Sequence, residues 1–224
     1  MQRFFVPAEI LAIETIFCAI VFLISFFIYY KIHELYRLTE YRGFHYFSNT
    51  LLFLGLAYFL RFLVFIFFYG QSDFLFENAR LDFRELMIFS VAFMTYSSSA
   101  SVLYLIYSLS WKWSELLRNE ILLHILALIF AVFSILGRPF LLLMIQITLL
   151  IVLLIVIVFS YKKYEPERRA TVVRVYPLYA LLFVFWILNL FLSFRIIPFE
   201  FRFFIYALSI FVLGIIAYRV LKKI

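Results

Sequence analysis

The sequence predicts an all-α integral membrane protein, a bundle of seven transmembrane helices. Three observations carry that expectation. Of the 224 residues, 67% are hydrophobic and 23% aromatic, and mean hydropathy is +1.07. Charged residues make up 15%, against about a quarter in a soluble domain. Apolar runs of roughly 20 residues, the length that crosses a hydrocarbon core, recur along the whole chain. They do not alternate with period two, so barrel strands are excluded and helices are the spanning structure left.

The spans follow in order. The first, Ala8 to Tyr30, lacks a basic run before it and a small-x-small cleavage site, so it reads as a retained span and not a removed signal peptide. The second, Phe44 to Tyr69, holds the run "LLFLGLAYFLRFLVFIFFYG" with Arg61 inside it. The third, Glu85 to Leu109, carries the polar stretch "TYSSSAS" from Thr95 to Ser101. The fourth, Asn119 to Leu136, is the shortest and ends at Gly137-Arg138-Pro139, which stops one helix and opens the next with proline in an allowed first-turn position. The fifth runs from Pro139 to Tyr161, the sixth from Val175 to Phe194 with Pro177 near its start, and the seventh from Phe203 to Leu221. The loops leave no room for a soluble domain, so residues 1–224 read as one polytopic membrane domain.

Loop charge sets the expected orientation. One side holds thirteen cations, Lys31, Arg37, Arg42, Lys112, Arg118, Lys162, Lys163, Arg168, Arg169, Arg174, Arg219, Lys222 and Lys223. The other holds six, Arg3, Arg80, Arg84, Arg138, Arg195 and Arg202. The amino terminus is therefore expected outside and the carboxyl terminus inside, in the cell membrane. Tyr29, Tyr30, Trp111, Trp113, Tyr161, Tyr164 and Tyr218 fall at the inner interface of that frame, where amphipathic rings sit. The net charge of +7 is then a product of topology and not a sign of nucleic-acid binding. The stretches "YYKIHELYRLTEYRGFHYFSNTLLFLGLAYFLRF" and "SYKKYEPERRATVVRVYPLYALLFVFWILNLFLSF" resemble each other, which fits two inner loops under one topology rule better than its alternative, a parallel repeat of spans 1–3 and 5–7 with span 4 as linker.

Polar side chains inside spans are costly and so informative. A charge near a helix centre costs about 2.5–3.5 kcal/mol on insertion scales and usually faces the bundle interior with a partner. Arg61 lies about 13 Å and Glu14 about 9 Å below the outer ends of adjacent antiparallel spans, from the helical rise, so the two are expected to pair. Gln146, Asn189 and Ser209 lie in the same outer half, and Thr95 and Tyr96 nearer the midplane. Together these seven residues are expected either to line an outer cavity or to serve as a buried ion pair with packing hydrogen bonds. The Ser97–Ser101 spacing suits close helix packing. His124 is placed near the inner end of span 4, and His33 and His45 in or near an inner loop without metal-ligand spacing.

Catalytic constellations are missing. The sequence contains no His-Glu-x-x-His, G-x-S-x-G, P-loop or dinucleotide fingerprint. The seventh span has no buried lysine for a retinal Schiff base. The lone Cys18 has no partner and reads as a packing residue. The chain is therefore expected not to be an enzyme, and no cofactor or metal is implied. The leading expectation is a receptor- or sensor-like protein whose outer cavity takes a small or lipid-like ligand and which signals through a membrane or cytoplasmic protein partner. Lys162, Lys163, Arg168, Arg169 and Arg174 would contact anionic lipid headgroups or that partner. An accessory or scaffold subunit of a membrane complex is the alternative, and a small-solute transporter or channel comes after it.

Overall fold

A computed structural model of the chain describes residues 8–70, 83–111, 113, 119–136, 139–163, 169–192 and 198–223. These form seven helices: α1 (Ala8–Thr39), α2 (Arg42–Gly70), α3 (Phe83–Ser110), α4 (Glu120–Leu136), α5 (Pro139–Lys163), α6 (Arg169–Leu192) and α7 (Phe199–Lys223). Among them α1, α2, α3, α5 and α7 contain stretches long and apolar enough to cross a membrane, and the apolar parts of α4 and α6 are shorter. The protein is a helical membrane bundle.

Several helices outrun the apolar stretches that predict them. The first continues from Tyr30 through Lys31, His33, Glu34 and Arg37 to Thr39. At ~1.5 Å per residue its 32 residues reach about 48 Å, well beyond a core of about 30 Å. Hydropathy marks where lipid ends, and a helix persists past that point when its residues are good helix formers, as this Lys-Ile-His-Glu-Leu stretch is. Lys31 and Glu34 pair at 3.2 Å one turn apart on the projecting part. His33 and His45 consequently sit on helices, not in a loop. The sixth helix begins at Arg169, which puts Pro177 inside it and not near its start. There the proline removes one helical N–H and leaves the carbonyl four residues back without its donor.

Only Glu40 and Tyr41 separate α1 from α2. Glu40 takes a left-handed backbone, φ 51°, and its N–H donates to the Tyr36 carbonyl at 2.7 Å, an αL helix cap. The two helices therefore form a tight antiparallel hairpin. Around it α1, α2, α3, α5, α6 and α7 pack each on the next and close a ring, α7 returning to α1, while α4 packs on α3 and α5. Asn119 caps α4 by accepting from the Ile121 N–H at 3.0 Å.

Small residues allow close approach at these interfaces. A Cβ on Gly55 of α2 would lie 3.6 Å from Ser25 of α1. Ser101 of α3 donates to the Thr50 carbonyl of α2 at 2.7 Å. In α4 the buried residues Leu123, Ala127, Ala131 and Ser134 fall on one stripe. Ile121, Ile125, Leu128, Val132 and Phe133 are exposed on its other face, as lipid-facing residues are. Phe17, Leu51, Leu54, Leu105, Leu153, Leu182, Phe185 and Leu213 are fully buried in the core. Cys18 is a buried free thiol.

Candidate functional site

Arg61 sits on α2, in the half of the bundle nearer Ala8. Its Nη2 lies 3.8 Å from Glu14 Oε2 on α1, with side-chain exposures of 29% for Arg61 and 15% for Glu14. Glu14 is held from the other side, since the Tyr206 hydroxyl on α7 donates to its Oε1 at 2.8 Å. Phe17 packs tilted against Tyr206 at 4.5 Å between ring centroids and meets Tyr58 edge-on at 5.7 Å. Three helices thus meet at one carboxylate. The guanidinium also lies over the Phe65 ring, 5.5 Å from its centroid.

A separation of 3.8 Å compensates charge but exceeds hydrogen-bond length. Among the described residues the Arg61 guanidinium makes no hydrogen bond at all. Arg61 lines the wall of a cavity of about 400 Å³. Helix α2 contributes Ala57, Tyr58 and Arg61 to that wall, and α3 contributes Val91, Met94, Thr95, Ser98, Ser99 and Val102. Gln146, Leu149 and Leu150 come from α5, and Trp186, Asn189, Leu190 and Leu192 from α6.

The candidate residues divide on this geometry. Arg61, Thr95, Gln146 and Asn189 line one cavity. Glu14 stands behind Arg61, off the wall. Ser209 is fully buried on α7, its hydroxyl without a hydrogen-bond partner, and does not reach the cavity. Tyr96 turns away, its hydroxyl bonded to His124 Nδ1 at 2.8 Å. Asn189 is fixed in place: Tyr58 donates to its Oδ1, and its Nδ2 donates to the Phe185 carbonyl at 2.8 Å. Thr95 and Ser98 spend their hydroxyl protons on the carbonyls of Val91 and Thr95 in their own helix. Gln146 and Ser99 make no hydrogen bond among the described residues.

Of the five basic residues expected at a surface, Lys162 is exposed. Lys163, Arg169 and Arg174 lie on helices of which only the backbone is described there. Arg168 and Tyr164 fall outside the described residues, as do Lys112, Arg118 and Gly137-Arg138.

A second polar cluster, nearer the Thr39 end, is not expected from the sequence. His124 of α4 bonds Tyr96 through Nδ1 and the Tyr104 hydroxyl through Nε2 at 3.0 Å, both tyrosines on α3. Tyr104 also reaches Glu120 Oε2 at 3.4 Å. Glu120 Oε1 lies 3.3 Å from His45 Nε2 on α2, to which Asn49 is bonded at 3.3 Å. The Tyr36 ring of α1 packs tilted against His45, 4.9 Å between centroids. Both nitrogens of His124 are thereby engaged by tyrosine hydroxyls, and among the described residues no three His, Cys, Asp or Glu side chains gather to hold a metal. Helical spacing alone carries one usable signal: Glu120 and His124 are four apart and share a face.

A protein from Archaeoglobus fulgidus, described as uncharacterised, is 49% identical to the chain over 220 residues, covering 97% of this chain and 95% of the relative. The chain belongs to its family. No family model matches the chain, and no solved structure matches it. Because the match runs through nearly the whole of both members, the family's shared unit takes in all seven helices.

In this member of the family the two polar clusters differ in chemical capacity. The one nearer Thr39 spends most of its polar atoms on its own members and so ties α2, α3 and α4 together, with His45 Nδ1 left buried and without a hydrogen-bond partner. The one nearer Ala8 has donors left over beside a cavity within the usual range for ligand pockets, about 300–1,000 Å³. The second joins unused donors to a cavity, which gives it room for a third party.

Proposed function

We propose that the chain is a receptor- or sensor-like membrane protein that binds a small or lipid-like molecule in the cavity between α2, α3, α5 and α6. In this reading all seven helices span the cell membrane, with the amino terminus outside, so the cavity lies in the outer half. Its basic inner segment, residues 162–174, meets anionic headgroups or a cytoplasmic protein partner that carries the response onward. The observation that supports the reading is Arg61, a cation that lines an otherwise mostly apolar cavity and whose guanidinium makes no hydrogen bond among the described residues. A buried polar group normally finds its partners within the fold. One left over at a cavity suits a ligand.

Native mass spectrometry of the chain released from neutral detergent tests this. The protein is offered decanol, decanoate, decyl phosphate and decylamine separately, beside a Met94→Trp variant that fills the cavity. We expect a one-to-one adduct with at least one of the four on the wild type, lost in the variant. No adduct with any of them, or adducts that persist unchanged in the variant, would sink the reading.

The accessory-subunit reading draws on a different observation, the Glu14 carboxylate shared between Arg61 and Tyr206, which joins α1, α2 and α7. It predicts co-purification with a partner protein in mild detergent and no ligand adduct.

A further inference from the structure

We infer that the cavity is built for an amphiphile with an anionic oxygen head, a carboxylate or phosphate carried on an apolar chain, with Arg61 and Gln146 as the groups that hold the head. The inference rests on the reading of the cavity as a ligand site and adds the chemistry of the occupant.

Hydrogen-bond supply and demand around the cavity are unequal. The guanidinium has five N–H donors in a planar fork, and its one ionic neighbour among the described residues, Glu14, is 3.8 Å away. Glu14 cannot close that gap freely, because Tyr206 holds its other oxygen at 2.8 Å. The Gln146 amide and the Ser99 hydroxyl add donors with no partner among the described residues. Among the described residues no carboxylate lines the cavity. The wall is thus rich in unused donors and carries one positive charge.

A cationic head would face Arg61 directly and be repelled. A neutral hydroxyl head would accept from at most two donors, bring no charge and leave the rest of the fork desolvated, which is costly for a charged group. An anionic oxygen head takes two parallel N–H bonds from arginine, the strong bidentate arrangement, and has lone pairs left for Gln146. Leu149, Leu150, Leu190 and Val102 supply the apolar remainder of the wall, which suits a hydrocarbon chain. Glu14 has a separate part: it offsets the cost of placing the arginine in the membrane, while its distance leaves the fork unused.

The test compares head groups on one chain length, with dissociation constants measured for one-to-one binding in neutral detergent and corrected by the Met94→Trp variant for partition into micelles. Decanoate and decyl phosphate are expected to bind about tenfold or more tighter than decanol, the scale of one charge-assisted hydrogen bond, and decylamine more weakly than decanol. Arg61→Gln should bring decanoate to the level of decanol, and Gln146→Leu should weaken it severalfold. Decanol or decylamine binding as tightly as decanoate overturns the inference while leaving the cavity a ligand site. No binding for any head overturns the ligand-site reading and this inference with it. The wild-type comparison stands even if Arg61→Gln does not fold. A second arm uses phosphatidylcholine nanodiscs with and without phosphatidylglycerol. Competition by phosphatidylglycerol supports the inference with a bilayer lipid as source, and decanoate binding indifferent to it supports the inference with a free amphiphile as source.

Discussion

Two demands meet at Arg61, and they pull its environment in opposite directions. A charge in the hydrocarbon core needs a counter-charge close by, whereas a binding arginine needs its N–H groups unoccupied. A carboxylate at 3.8 Å, held from behind by a tyrosine, meets both. The energetic consequence is testable. Glu14→Gln or Arg61→Gln alone should destabilise the bundle by about 1–3 kcal/mol, below the full cost of breaking a buried pair because both groups are partly exposed. The double variant should recover part of that loss. Thermal unfolding in detergent measures all three, and strictly additive losses would show that the two side chains do not interact. The pair was legible beforehand because an unmatched charge is the one thing a membrane helix cannot leave alone, and depth arithmetic then leaves Glu14 as the nearest acid. Tyr206 was not legible: with 16 tyrosines in the chain, nothing in the sequence marks which hydroxyl turns towards a carboxylate.

At the level of single helices, the clearest departure from expectation is α1, read as ending at Tyr30 and in fact running to Thr39. Composition reports the thickness of the lipid, and nothing in a polar stretch of good helix formers says stop until Thr39 and Glu40. Glu40 stops the helix by adopting the left-handed conformation, which costs a non-glycine residue about 1–2 kcal/mol. Glu40→Gly is therefore expected to hold or raise the melting temperature of the protein, and a clear fall would mean that the Glu40 side chain contributes more than its backbone costs. Helix α4 illustrates the opposite limit. Its stripe of Leu123, Ala127, Ala131 and Ser134 shows a packing face from sequence alone, but the partners of His124 depend on how α3 is rotated against it. Tyr104→Phe removes the hydroxyl that meets both His124 and Glu120 and should cost about 1 kcal/mol, typical of interhelical bonds in membranes. An unchanged unfolding temperature would mean that water replaces the hydroxyl there.

For the molecule as a whole, the proposed orientation rests on loop cations and has a direct check. Cys18 is buried, so a single cysteine introduced elsewhere reports cleanly to a membrane-impermeant maleimide. Phe201→Cys should label in intact cells and Leu38→Cys only after permeabilisation, both positions being well exposed; the reverse pattern would invert the topology. The ring itself was out of reach of the sequence, because lipid-facing and core-facing apolar residues are chemically alike in a bundle this rich in phenylalanine. The two-residue link between α1 and α2 has a further consequence, for how the chain enters the membrane during synthesis. Glu14 and Arg61 belong to consecutive helices, and the tight hairpin brings them together without help from later segments. The arginine therefore arrives at the translocon with its counter-ion already on the preceding helix. A nascent chain ending near residue 82 should integrate both helices in glycosylation mapping, and Glu14→Leu should reduce integration of the second. Assembly, on this view, begins with a neutral unit that carries its charge inward and leaves α3, α5 and α6 to complete the cavity against α2.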